Sequence, residues 1–357
     1  MRVLHVDPER GWGGGETQVL GLARALVTRG HAVTLAADPA GRLAAAATGL
    51  AIVPLPIAHH ADVRAGLRLR RLAGDVDVVH FHTARAHAMA PLCRGRGARL
   101  VVTRRMDYVP RGGPYARYLY NRGVDAVIAI SEGVRAALLR AGVRPERITV
   151  VPSGVDPLAK RARPGARETL RAAWGVRPEE LVVLVVGALE RRKGHAVLLD
   201  AATMLAPELP HLRYVFCGTG AEAARLAATA APLGARVQFL GFRDDVPDCL
   251  AAADVVAVPS LQEGLGVAAL EAMAAGRPVA ASATGGLAEA VVDAETGYLV
   301  PPGAARPLAD ALRRLGTDPA LRVRLGAGGA ERVRTRFTMA AMAEGTLACY
   351  ERTASCA

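Results

Sequence analysis

Two glutamates eight residues apart, Glu263 and Glu271, frame the stretch of this sequence best suited to chemistry. Between them lie Gly264, Leu265, Gly266 and Val267, followed by an Ala/Leu/Met-rich run. The apolar run 255–258 ahead of Pro259 reads as a buried strand, and 266–275 reads as a short helix with little polar face. Glu263 therefore falls on a strand-to-helix loop and Glu271 inside the helix. A carboxylate on an apolar helix costs free energy unless it meets a partner, and ligand hydroxyls are one such partner. Backbone N–H groups at the helix start suit a phosphate. Together these features fit a ligand with both hydroxyls and phosphate, such as a nucleotide sugar. In the competing reading Glu271 caps or ion-pairs within the fold and the glycines only shape a turn.

Lys193 adds a cation. It lies in Gly187-Ala188-Leu189-Glu190-Arg191-Arg192-Lys193-Gly194, and the only other lysine in the chain is Lys160. A compact ammonium suits a diphosphate, whereas Arg191 and Arg192 read equally well as a solvated charge run. Gly218-Thr219-Gly220 and Gly241-Phe242-Arg243 either wall a nucleobase pocket or are ordinary turns, and Gly285-Gly286 is a similar loop. Near the N-terminus, Gly11-Trp12-Gly13-Gly14-Gly15-Glu16 lacks the G-x-G-x-x-G spacing of a dinucleotide fingerprint, with Glu16 in place of the last glycine. It reads as a glycine-rich loop with Glu16 capping the next helix. His80-Phe81-His82 has no carboxylate or cysteine nearby at ligand spacing, so no metal site is expected. Thr103-Arg104-Arg105 ends a strand, where an arginine could hold a phosphate or carboxylate on an acceptor.

The elements that position these loops alternate between strand and helix. Apolar runs at 3–6, 32–37, 52–55, 76–81, 100–103, 124–130 and 148–151 read as strands, separated by helical periodicity at 16–29, 62–73, 114–121 and 132–141. A basic, turn-rich break at 160–165 reads as a linker. Strands then follow at 182–186, 212–217, 237–240, 255–258, 279–281 and 298–300. Helices are expected at 195–205, 221–233, 266–275, 287–292, 307–315, 319–337 and 339–353. Such alternation implies parallel sheets covered on both faces by helices. The expectation is an α/β chain with two Rossmann-like domains, 1–158 and 159–337, facing a central cleft, plus a C-terminal helix within 338–357 packing back on the first domain.

At 357 residues the chain is long enough for two cores. Mean hydropathy is positive at +0.21, which argues against disorder. No apolar run is long enough to span a bilayer, and the opening apolar run is too short for a signal peptide. Cys93, Cys217, Cys249, Cys349 and Cys356 show no CxxC spacing and suit a reducing compartment, so a cytoplasmic location is expected. A net charge of +12 implies anionic company. With aromatics at 4%, a phosphorylated substrate and the anionic inner face of a membrane fit better than nucleic acid.

The run Pro259-Ser260 … Glu263-Gly264-Leu265-Gly266 … Glu271-Ala272-Met273-Ala274-Ala275-Gly276-Arg277-Pro278-Val279 resembles the EX7E motif of retaining GT-B glycosyltransferases of family 4. Gly285-Gly286 … Glu289 … Gly297-Tyr298-Leu299-Val300-Pro301-Pro302-Gly303, Pro152-Ser153-Gly154-Val155-Asp156 and Arg192-Lys193-Gly194 are similar to the same family. The resemblance covers nearly the whole chain. It implies a nucleoside-diphosphate-sugar donor on the second domain, a glycan, lipid-linked or small-molecule acceptor on the first, and neither metal nor other cofactor. It puts Glu263 near the donor sugar and Glu271 near the ribose, with Lys193 and Arg192 on the departing diphosphate. Gly14, Gly15, Gly187, Gly218, Phe242, Gly264, Leu265, Gly266 and Val267 fall at the donor, and His82, Arg104 and Arg105 on the acceptor side. Two positions depart from the family pattern: Ala188 stands where an arginine is usual, and Arg105 where a histidine is usual. The opening Leu4-His5-Val6-Asp7 and Gly13-Gly14-Gly15-Glu16-Thr17-Gln18 look like the branch that builds lipopolysaccharide and other cell-surface glycans. The alternatives are an NAD-linked oxidoreductase or nucleotide-sugar epimerase on a double Rossmann frame, and a catalytically inactive binding subunit.

Overall fold

The computed structural model describes residues 1–110, 113–156 and 161–352. The chain forms two compact units, Met1–Gly154 with Met339–Ala357, and Val155–Thr338. The boundary expected at 158–159 lies outside the described residues, as do Lys160, the expected last residue of the final helix, Thr353, and Cys356.

The first unit is built on β1 (Arg2–Asp7), β2 (Ala32–Ala37), β3 (Ala51–Pro54), β4 (Val78–Phe81), β5 (Arg99–Arg104), β6 (Ala126–Ala129) and β7 (Ile148–Val150). Their order in the sheet is β3-β2-β1-β4-β5-β6-β7, every pairing parallel. The sequence of each central strand is apolar on both faces because helices cover both. The helix Gly14–Thr28 buries Val19, Leu22, Ala23 and Leu26 against this sheet. The final helix, Met339–Arg352, packs on the same side: Gly21 has no side chain where Met339 lies, since a Cβ there would be 2.3 Å from Met339 Cε. Tyr350, fully buried, ties this helix to the strand layer through His80.

The second unit carries β8 (Leu181–Val186), β9 (Leu212–Cys217), β10 (Val237–Phe239), β11 (Val255–Val258), β12 (Val279–Ser282) and β13 (Gly297–Val300). The order is β10-β9-β8-β11-β12-β13, again parallel. Tyr214, Phe216, Leu198 and Leu312 lie in its core. In both sheets the order reverses beside the first strand, between β1 and β4 and between β8 and β11. Loops leaving the C-terminal ends of such a pair diverge and leave a crevice, the usual ligand position of doubly wound sheets.

Some expected elements shift. The helix expected over 221–233 is confined to Ala223–Ala230, because Pro232 and Gly234 (φ +55°) interrupt it. The helices Ala166–Ala173 and Val246–Ala252 were not expected. The first buries only Ala166 and Leu170 and is held by polar contacts: Arg167 and Arg171 pair with Asp254 at 2.6 and 2.9 Å. Among the described residues no helix is long and apolar enough to cross a membrane.

Candidate active site

In the second unit, the loops that leave β8 and β11 meet at the order reversal. Lys193 Nζ donates to Glu263 Oε2 at 2.5 Å, and Ser260 Oγ donates to the same oxygen at 3.1 Å. Both partners are largely buried, with side chains 20% and 12% exposed. The loops are also joined through backbone: Arg192 O accepts from Leu261 N at 2.8 Å and from Gln262 N at 3.2 Å. Gly194, at φ +64°, sits where a Cβ would be 1.9 Å from Pro259 O, so only glycine lets the β8 loop approach this closely.

The helix carrying Glu271 runs Val267–Ala274, with Gly266 as its N-cap at φ +87°. Its first bonded amides are Ala269 N and Leu270 N, both to Gly266 O. Amides before these have no partner within the helix, which makes the 264–267 corner a setting for an anion. Leu265 is buried; Glu271 is half-buried on the second turn. Gly286 backs the corner, donating to Glu263 O and Gly264 O at 3.3 and 3.2 Å. The loops after β9 and β10 stand beside the β8 loop: Gly187 N donates to Cys217 O at 3.0 Å and Gly218 N to Gly241 O at 2.7 Å. Phe242 follows, 39% exposed. The strand ends thus bring Gly187, Gly218 and Gly241 together next to Lys193. The Arg192 guanidinium instead bonds Glu190 at 2.7 Å, so its contribution to this corner is its carbonyl.

In the first unit the equivalent reversal gathers three histidines. His5 on β1 is the register partner of His80 on β4, and His82 follows one residue past β4. His5 Nδ1 and His82 Nε2 are 2.8 Å apart. His80 bonds the Tyr350 hydroxyl and the Thr103 hydroxyl, each at 2.6 Å. Arg105 Nη2 donates to His82 Nδ1 at 3.3 Å. Burial holds all three imidazoles neutral: His5 is lowered to about 3, by burial and then by Arg105, and His80 and His82 fall well below the usual histidine value. Burial, then Glu16, raises the Asp7 carboxyl at the end of β1 to about 7. Glu16 caps the first helix, accepting from Gly13 N at 2.7 Å. Gly14 and Gly15 form the start of that helix, and Arg105 lies against Gly15, where a Cβ would be 3.9 Å from Arg105 Cδ.

Arg104 and Arg105 separate. Arg104 is buried, donates to Tyr108 O at 3.1 Å and lies over the Tyr108 ring, away from the cluster around His82. His5 and Asp7 join the cluster although the sequence, which marks Leu4-His5-Val6-Asp7 only through the family resemblance, gives neither a role at the site; the signal was their place on the first strand of a doubly wound sheet. The ligand atoms of His5, His80 and His82 lie within 4.8 Å of one another, a grouping capable of metal binding. Their nitrogens are already engaged with each other, with Tyr350, with Thr103 and with the Arg105 cation, leaving only His5 Nε2 without a partner. A cation 3.3 Å from one prospective ligand works against a metal ion there.

Two Rossmann-like units, each with polar residues gathered at its order reversal, define a GT-B architecture. Residues 166–332 match the family Glycosyl transferases group 1, and residues 12–157 match Glycosyltransferase Family 4. The chain is 36% identical over 248 residues to an alpha-maltose-1-phosphate synthase of Mycolicibacterium smegmatis, a match covering 64% of this chain and 63% of that protein. It is 33% identical over 339 residues to a D-inositol 3-phosphate glycosyltransferase of Kribbella flavida, covering 86% of this chain and 78% of that one. The solved structure of Anabaena HepE in complex with UDP and glucose shares the fold, with a TM-score of 0.88 over 99% of this chain and 100% of that one at 24% identity. The chain belongs to the family 4, group 1 glycosyltransferases.

Proposed function

We propose that this glycosyltransferase moves a sugar from a nucleoside-diphosphate donor to an acceptor hydroxyl with retention of anomeric configuration, without a metal ion. The observation that carries this reading is the Lys193–Glu263 pair at the β8/β11 reversal, beside a glycine-capped helix start. The diphosphate lies on Lys193 and the 264–267 amides; Glu263 faces the sugar and Glu271 the ribose. The loops at Gly187, Gly218 and Phe242 flank the nucleotide. Positioning and stabilisation of charge on the departing diphosphate supply the catalysis. With Ala188 in place of the usual arginine and Arg192 held by Glu190, the side-chain charge on the diphosphate falls to Lys193.

The first unit binds the acceptor near Arg105 and His82. UDP in the HepE complex supports a UDP-type donor, and the names of the two relatives support a small, phosphorylated acceptor. A lipid-linked acceptor is favoured by one observation. The helix Val63–Leu72 exposes Val63 (63%) and Leu67 (54%) alongside Arg64, Arg68 and Arg71, a face suited to an anionic membrane. The test is a thermal-shift panel of nucleotide sugars, followed by transfer assays with the best binder in EDTA, the product anomer being read by NMR. An inverted product, or dependence on added metal, rejects the corresponding part of the reading. Sedimentation with phosphatidylglycerol vesicles that Val63→Ser/Leu67→Ser leaves unchanged rejects the membrane face.

A further inference from the structure

Arg105 is satisfied differently from the arginines that hold the fold together. Arg171 pairs with Asp254 and donates to Glu180 O, and Arg163 bonds Asp248 through both backbone and side chain. Arg104, whose Nε is likewise buried without a hydrogen-bond partner, has a carbonyl and an aromatic ring for its remaining guanidinium. Among the described residues Arg105 makes one hydrogen bond, to a neutral imidazole, while its Nε is buried with no partner. Among the described residues no carboxylate comes within 4.0 Å of its guanidinium. The two nearby acids do not neutralise it at contact: Glu16 is turned to the Gly13 amide, and Asp7 accepts from Glu9 N at 3.1 Å. A half-buried cation with a buried Nε and no contact anion is costly.

The hydrogen bonds behind it run in one direction. An arginine only donates, so His82 Nδ1 is the acceptor and its proton sits on Nε2. That N–H donates to His5 Nδ1 at 2.8 Å, which places the His5 proton on Nε2. The His5 and His82 rings are stacked with centroids 5.0 Å apart, and His82 packs on His80 at 4.1 Å. His80 is in turn pinned by Tyr350 and Thr103. A rigid imidazole stack thus fixes one Nη of Arg105, while the Gly13–Gly15 turn leaves room along its stem. The two helix-start glycines bring amides to the same place, ahead of the first bonded amide, Thr17 N to Gly13 O.

We propose that Arg105 binds an oxyanion carried by the acceptor, a phosphate or carboxylate, and that His82, backed by His5, is the positioning residue that aims its guanidinium. This rests on the reading of the first unit as the acceptor side. A planar guanidinium with its remaining N–H groups unclaimed matches an oxyanion in two-point geometry, which a histidine at this position would not. Arg105 then selects acceptors by charge before their hydroxyl is placed for reaction.

The test uses the full chain saturated with the nucleoside diphosphate it binds most tightly, so that Lys193 is occupied. Nitrogen-15 NMR follows the arginine Nε–H signals while inorganic phosphate, acetate or chloride is added at constant ionic strength. The Arg105 signal is assigned by its loss in Arg105→Lys. The expected result is a saturable shift of that signal with phosphate or acetate and none with chloride; whichever binds tighter names the acceptor's anion. His82→Ala is expected to weaken that binding about tenfold or more, with His82→Gln, which keeps an acceptor for the guanidinium, restoring most of it. Nucleoside diphosphate affinity should be unchanged in both variants. A chloride-like response to phosphate and acetate overturns the anion site, and equal binding by His82→Ala overturns the positioning role. Failure of the nucleoside diphosphate to bind at all counts instead against the glycosyltransferase reading.

Discussion

Lys193 Nζ lies 2.5 Å from Glu263 Oε2, joining the loop after the first strand of the second unit to the loop after its fourth. The contact spans the point where strand order reverses, so it ties the two loops together and puts opposite charges between them. Arg192 O and Gly194 weld the same loops through backbone. In the proposed reading the lysine is thereby held for a diphosphate and the carboxylate for a sugar hydroxyl.

Removing either partner should cost rate more than fold. Lys193→Ala leaves the Glu263 carboxylate with Ser260 Oγ and removes the cation meant for the leaving group. Transfer should fall by about 100-fold, the scale seen when one preorganised charge-stabilising group is lost. Glu263→Gln should lower kcat comparably while leaving nucleoside diphosphate affinity within about twofold, because the amide oxygen still accepts from Lys193 Nζ and keeps the cation in place. Steady-state kinetics with matched calorimetry separates the two.

Gly218→Ala should damage the donor crevice from beneath. A Cβ on Gly218 would stand 1.8 Å from Gly187 O, so the loops after β8 and β9 must part. A stability loss of ~1–3 kcal/mol is expected, as for overpacked sites, together with weaker nucleotide binding. Thermal unfolding with and without the nucleotide measures both effects.

These strand-end loops were legible in the sequence because parallel strands covered on both faces leave unbroken apolar runs with glycines at their ends. Glu263, Lys193, Gly187 and Gly218 could be assigned to one edge on that pattern alone. What the sequence did not carry was side-chain direction. Adjacent Arg104 and Arg105 looked interchangeable, yet they part at a strand end, one to Tyr108 and one to His82. The pairing of His5 with His80 depends on sheet register between strands far apart in the chain. The helix Ala166–Ala173 was hidden because its anchoring is by arginine onto Asp254 and not by an apolar stripe.

The buried histidines make the first unit acid-sensitive. His5, His80, His82 and His87 all have folded-state values below the ordinary 6.5, His5 and His87 at about 3. Between about pH 6.5 and 3 the unfolded chain binds protons these groups refuse in the fold, so stability falls with falling pH, by ~1.4 kcal/mol per pH unit for each such group. Asp7, raised to about 7, acts in the opposite direction between about 4 and 7, as one group against four. Thermal unfolding at pH 7.5, 6 and 5 should therefore show a falling Tm. The drop should be concentrated in tryptophan-free probes of the first unit, such as exchange protection of β1 and β4.

Tyr350→Phe should loosen the final helix. It removes the 2.6 Å bond to His80 and leaves a buried ring nitrogen unpaired, a cost of ~1–3 kcal/mol. Hydrogen exchange should rise across 339–352 with little change in the second unit.

The central claim is tested most directly by isothermal calorimetry of UDP, and of the other nucleoside diphosphates, on the unmodified chain and on Lys193→Ala at constant ionic strength. At least one nucleoside diphosphate should bind the unmodified chain without metal, and Lys193→Ala should bind it at least about tenfold more weakly, the loss of one charge-assisted contact. Equal affinity in the two proteins would contradict the assignment of the β8/β11 crevice as the donor site.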